Sequence, residues 1–183
     1  MKKKFNSLYK KDVILDTNTI IDLNELNQIL LPCKLFQNVY YSKNAFIEEL
    51  DEELKRSVET AGYKPICIET NDGYVSLFYL KENHKALSIC DKVVISIAAE
   101  KKILCCTNDK PARQACAAVD VKPIGTIGIL CGCYENGIIK HEELTAIFNK
   151  YVYDCSSRLG QDLIDEIRVL YNISDVQGKV IDL

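Results

Sequence analysis

Val13-Ile14-Leu15-Asp16-Thr17-Asn18 lies near the N-terminus of a 183-residue chain. Three β-favouring apolar residues run straight into an acid. Small polar residues follow, and then Ile20-Ile21-Asp22-Leu23. The pattern reads as a buried strand whose end carries a carboxylate, followed by a helix. Open α/β sheets place their ligands beyond the carboxyl ends of parallel strands, so an acid at position 16 stands where chemistry is done. The fold depends on whether strand and helix keep alternating beyond it.

They do. Thr17 to Asn27 carries Ile20, Ile21, Leu23 and Leu26 at helical spacing. Asn38-Val39-Tyr40-Tyr41-Ser42 is rich in β-formers. Ser42 is placed to cap a helix from about Lys43 through Arg56, with Ala45, Phe46, Leu50 and Leu54 as its apolar stripe. Ile66-Cys67-Ile68 is a short apolar run, and Thr70-Asn71-Asp72-Gly73 has turn and cap chemistry. Helical patterns cover Tyr74 to Asn83 and about Ser88 to Lys101. Lys102 to Thr107 is apolar on both faces, as in a central parallel strand. Pro111 suits the first turn of the next helix. Val121 to Ile124 reads as the last short strand before Gly125-Thr126 caps a helix that Gly137 ends. His141 to Tyr153 and Gly160 to Leu170 are amphipathic, and Gly178 to Leu183 has the look of an extra strand. The whole predicts an α/β fold with a central, mostly parallel sheet covered by helices on both faces.

An apolar fraction of 48% and a charged fraction of 27% are those of an ordinary soluble globular protein. A net charge of −3 excludes a protein that coats nucleic acid by bulk charge, leaving a local basic patch or acid-bound metal ions to attract phosphate. No run approaches the ~18 apolar residues of a membrane span, and the basic start at Met1 to Lys4 has no long apolar run behind it. With nine cysteines and no C-x-x-C pair, the reading is reduced thiols in a cytoplasmic protein, used as small buried hydrophobes. A zinc site finds little support in their scatter.

Four acids are conspicuous. Asp16 ends the first strand and Asp109 follows the 102–107 strand, which brings two carboxylates to one sheet edge. Asp91 lies four residues after Leu87 and three before Val94, on the core side of its helix. Burying a lone carboxylate there is expensive without donors or a cation. Glu49 lies three after Phe46, near the edge of that helix's stripe, whereas Glu48 points about 100° away. Singly, each has a plain structural reading as a cap, a turn residue or a solvated face. Together they describe an oxygen-only crevice suited to Mg²⁺ or Mn²⁺.

The ordered set Leu15-Asp16-Thr17-Asn18, Ile47-Glu48-Glu49-Leu50, Leu87-Ser88-Ile89-Cys90-Asp91 and Thr107-Asn108-Asp109-Lys110-Pro111-Ala112-Arg113 resembles the PIN-domain ribonucleases, which include the VapC-type toxins. Ile124-Gly125-Thr126-Ile127-Gly128-Ile129-Leu130, with its G-T-x-G-x-L segment, followed by Asn136-Gly137-Ile138-Ile139, resembles one PIN-like branch. The likeness spans about Val13 to Tyr153. It implies a three-layer α/β/α sandwich in a nuclease domain of residues 1–153; residues 154–183, outside the likeness, are expected to form a helical extension and tail packed on the same domain.

The resemblance further implies a Mg²⁺- or Mn²⁺-dependent endoribonuclease. Asp16, Glu49, Asp91 and Asp109 would be both catalytic and metal-binding, Thr107 and Asn18 would support them, and Lys110 and Arg113 would hold RNA. Its partners would be RNA, an antitoxin protein and a second copy of the chain, with no membrane. Two alternatives stand beside it. A haloacid-dehalogenase-type enzyme would need a second acid where Asn18 stands, which counts against it. A non-catalytic RNA- or protein-binding PIN-like module would keep the same acids. His84 and His141 have no partner at acid–base spacing. Tyr40-Tyr41 and Tyr151-Val152-Tyr153 offer rings for base stacking or for the core.

Overall fold

Five strands form one sheet: β1 (Asp12–Leu15), β2 (Asn38–Ser42), β3 (Lys64–Ile66), β4 (Leu104–Cys106) and β5 (Pro123–Ile124). The computed structural model describes residues 4–44, 49–154 and 159–174. All four strand pairings are parallel, in the order β3-β2-β1-β4-β5. The chain therefore builds one half of the sheet outward from β1 to β3, then returns to β1's other side for β4 and β5. The reversal point lies between β1 and β4, the place where such sheets open a crevice.

Helices α1 (Thr17–Glu25) and α2 (Leu31–Leu35) link β1 to β2, and α3 (Glu52–Thr60) precedes β3. Helices α4 (Asn71–Asn83) and α5 (Ile89–Lys101) make the return to β4. Helix α6 (Lys110–Ala118) joins β4 to β5, and α7 (Thr126–Glu135), α8 (His141–Asp154) and α9 (Gln161–Tyr171) follow. Because strand side chains alternate, β1 sends Val13 and Leu15 to one face and Ile14 to the other. Cys105 likewise sits opposite Leu104 and Cys106. One core packs α1, α2, α3, α7, α8 and α9 against the sheet, and the other packs α4, α5 and α6. This is the predicted three-layer α/β/α sandwich. Ile164, Ile167 and Tyr171 of α9 belong to the first core.

The thiols follow the same logic. Cys105, Cys106, Cys116, Cys131 and Cys133 are buried and unpaired, and burial pushes the Cys131 and Cys133 thiols up to about 12. Among the described residues no helix is long and apolar enough to cross a membrane.

Three local expectations differ. The stripe Leu50–Leu54 suggests one helix through Arg56, but Leu50 and Asp51 are not helical. Asp51 has an extended backbone and its side chain accepts from Leu54 N at 2.8 Å, so it restarts the chain as α3. Glu52 and Glu53 then stand in the first turn, where the helix dipole favours acids. The buried Ser42 hydroxyl has no hydrogen-bond partner among the described residues. Strand β3 begins two residues before the Ile66-Cys67-Ile68 run because Gly62, at φ +88°, turns the chain sharply after α3. Ala45, Phe46, Glu48 and the Gly178–Leu183 segment lie outside the described residues.

The break at Asp51 has a measurable consequence. In a continuous helix Asp51→Ala would be neutral or favourable. As the loss of a cap it lowers the unfolding free energy by about 1 kcal/mol, read from urea denaturation, and an unchanged midpoint would restore the single helix.

Candidate active site

Parallel register sets the first two groups. Leu15 pairs with Cys106, and Asp16 N donates to Cys106 O at 3.0 Å, so the residues that follow each strand, Asp16 and Thr107, meet at the sheet's carboxyl edge. Asp16 is also the cap of α1, with Oδ1 accepting from Thr19 N at 2.7 Å. It is only 4% exposed, and its Oδ2 has no hydrogen-bond partner among the described residues. Burial pushes its carboxyl from 3.8 up to about 6, against the opposing pull of the Thr107 and Thr19 hydroxyls, with the charge of Asp91 raising it further.

Asp91 reaches the same cleft from the first turn of α5. Ser88 caps that helix by accepting from Asp91 N at 3.0 Å, and its hydroxyl donates to Asp91 Oδ2 at 2.8 Å. The expected cost of placing Asp91 beside the core is thus met by a neighbouring hydroxyl. The side chain is half-buried, and its carboxyl is raised by desolvation, then by the charges of Asp109 and Glu49. Glu49 is exposed and takes a hydrogen bond from Thr17 Oγ1 at 2.5 Å. Asp16, Glu49 and Asp91 line one cleft of about 430 Å³ together with Thr17, Asn18 and Ser88.

Asp109 stands apart from this lining. It caps α6, with Oδ2 accepting from Ala112 N at 2.8 Å, and is exposed at the rim. Its charge still acts on Asp91. Thr107 Oγ1 accepts from Asp109 N at 3.3 Å. Arg113 donates to Thr107 O at 3.1 Å and is half-buried, so it braces the loop that carries Asp109, while Lys110 is exposed.

The donor set has a common form. Each of the four carboxylates has one oxygen held by a neighbouring hydroxyl or N–H, and the other forms no hydrogen bond among the described residues. Four hard oxygens without partners, one of them buried, fit a hard divalent cation. Among the described residues no three His, Cys, Asp or Glu side chains stand together in a group that could hold a metal ion.

A PIN-domain model, DUF3368, matches residues 12–172, and no curated protein matches the chain. The chain belongs to the PIN-domain family. PIN domains are in general nucleases that use divalent metal ions, and the match extends through α9, beyond the Val13–Tyr153 span read from the sequence.

Within this PIN domain several residues escaped the sequence reading. Thr17 holds Glu49, and Ser88 holds Asp91. The helical cap signal at Ser88 was there to be read. Asp22 is a further buried acid, and its partners are distant in sequence. The other candidates sit away from the acids' cleft: Tyr41 is in the core, Tyr151 is buried, and His141 bonds Tyr171 O at 2.8 Å.

The raised Asp16 carboxyl fixes a pH dependence for the metal-free protein. The folded state keeps its proton up to about pH 6 while the unfolded chain releases it near 3.8, so stability falls as pH rises through that window. Asp16→Asn keeps the cap and removes the charge. In EDTA it is expected to be more stable than wild type by at most about 3 kcal/mol above pH 7, the gap closing towards pH 4. Urea denaturation across that range checks it, and a gap independent of pH would contradict the assigned burial.

Proposed function

We propose that this PIN domain is a Mg²⁺- or Mn²⁺-dependent endoribonuclease. The observation that carries the reading is the buried, half-satisfied carboxylate of Asp16 at the reversal point of the sheet, in one cleft with Glu49 and Asp91. Asp16, Asp91 and Asp109 would hold the cation, with Glu49 completing the set or orienting the attacking water. When bound, the cation supplies positive charge for the phosphate oxygens and acidifies a bound water. Thr107 keeps Asp109 N–H engaged and lies beside Asp16, favouring its charged form. Asn18 lines the cleft at its polar rim.

Charge suggests the path of the substrate. The depression that shares Ile21 and Glu49 with the cleft carries Glu25, Asp51 and Glu53, which repel a phosphate backbone. Lys110, exposed beside Asp109 at the start of α6, is absent from that acidic lining, and an RNA strand would lie against it, with Arg113 bracing the Thr107 loop. A role as the toxin of a toxin–antitoxin pair, with an antitoxin partner and a homodimer, belongs to the same proposal through the likeness to VapC-type toxins.

A second reading has one observation in its favour. Among the described residues no three His, Cys, Asp or Glu side chains are grouped to hold a metal ion, an arrangement that a module binding RNA or protein without turnover would tolerate. Labelled RNA incubated with Mn²⁺, with Mg²⁺ and with EDTA, beside Asp16→Asn, separates the two. Metal-dependent cleavage reduced by at least ~10²-fold in the variant is the expected result. Equal cleavage by the variant would sink the site, and RNA binding without cleavage would favour the second reading. Lys110→Ala is expected to raise KM for RNA a few-fold with kcat kept, and a fall in kcat alone would remove Lys110 from substrate binding.

A further inference from the structure

A second buried carboxylate lies six residues after Asp16 on the same helix, and nothing above employs it. Asp22 is 4% exposed. Its Oδ2 accepts from the Tyr151 hydroxyl at 2.7 Å, from Asn108 Nδ2 at 2.8 Å and from Thr126 Oγ1 at 3.4 Å. The donors come from α8, from the loop after β4 and from the first residue of α7, so one carboxylate ties together three elements far apart in sequence. Donors in that number are what a buried charge needs to be tolerated.

Asn108 is the member that reaches the site. Its amide is engaged at both ends, since Oδ1 accepts from Thr126 N at 3.0 Å and Nδ2 also approaches Thr126 Oγ1 at 2.8 Å and Tyr151 Oη at 3.1 Å. Gly125 makes this possible, because a Cβ there would stand 2.7 Å from Asn108 Oδ1. Asn108 lies between Thr107, beside Asp16, and Asp109, the cap of α6. Clamping its side chain in the buried cluster fixes the backbone that carries both neighbours. Tyr151 keeps its proton for Asp22 while its oxygen accepts from Asn108: burial, then the charge of Asp22, raises its hydroxyl far above the usual tyrosine range.

We propose that Asp22, bound by Tyr151, is a positioning residue for the Thr107–Asp109 loop, holding Asp109 in place to join Asp16 and Asp91 around the divalent cation. The inference rests on the metal-dependent nuclease reading and deepens it. It makes α8 part of the site although none of its residues lines the acids' cleft.

The test uses Tyr151→Phe, which deletes one oxygen, beside Ile164→Val, a packing change on α9 with no link to the cluster. Mn²⁺ affinity of the metal-free protein is read by calorimetry. The kcat and KM for RNA are read at a temperature where circular dichroism shows every variant folded. Tyr151→Phe is expected to weaken Mn²⁺ binding and to lower kcat, each by about tenfold, with KM for RNA kept, while Ile164→Val changes neither. Should Tyr151→Phe not fold, Asp22→Asn, which keeps the side chain's shape, takes its place with the same expectation. Wild-type Mn²⁺ affinity and kcat in the variant would overturn the proposal, as would equal losses in Ile164→Val. Wild type that binds Mn²⁺ but cleaves no RNA sinks the nuclease reading alone, and the affinity of Tyr151→Phe then decides this one. Wild type that binds no Mn²⁺ overturns both.

Discussion

A carboxylate buried with one oxygen unpartnered is the constraint around which this fold is arranged. Asp16 is placed at the end of the middle strand, where sheet and helices exclude water, and its cap to α1 satisfies only Oδ1. Leaving a charge so poorly matched works against folding, and the raised carboxyl is the direct expression of that cost. The arrangement persists because the same features that bury Asp16, parallel pairing with β4 and the start of α1, are those that form the layers. The charge sits where the chain reverses its direction of sheet building.

Around that point the other acids are delivered by helix caps. Ser88 turns Asp91 into the cleft, Asp109 is itself the cap of α6, and Thr17 in the first turn of α1 takes hold of Glu49. Helix N-termini also bring partial positive charge, which eases the crowding of carboxylates before any cation arrives. Desolvation and mutual repulsion still raise Asp91, so the caps moderate the cluster without neutralising it.

Most of the fold was legible because it rests on local periodicity. The apolar run before Asp16 and the doubly apolar run at 104–106 became the paired central strands, and Thr70 and Ser88 mark helix starts where their side chains accept from backbone N–H groups. The same reliance on periodicity hides the break at Leu50 and Asp51 in the helix expected through Arg56. Leu50 and Leu54 keep helical spacing across a break, and only the cap chemistry of Asp51 reveals it. In the site, Asp16, Asp91 and Glu49 could be placed together because each sits at a strand end or a helix edge. Asp109 is expected in the same crevice but is absent from the lining of the cleft that holds the other three, since nothing local says how far a cap residue stands from a neighbouring strand. Asp22 lay on the buried side of α1, beside Leu23 and four before Leu26. The helix-face reasoning that singled out Asp91 applies to it equally, but its partners at 108, 126 and 151 are set by tertiary packing alone.

Two buried acids on one helix thus have opposite fates, and the difference separates scaffold from chemistry. Both are 4% exposed. Asp22 is surrounded by donors from three elements, and a carboxylate so matched has little to gain from a cation and much to lose from moving. Asp16 has one oxygen held by a backbone N–H and the other buried without a hydrogen-bond partner among the described residues, at the wall of the cleft, so a hard cation offers it what the protein withholds. The rigid acid and the poised acid are joined through Asn108 and Thr107, across less than two turns of α1. A change that loosens the matched one therefore acts on the geometry of the unmatched one, although the two never touch the same ligand.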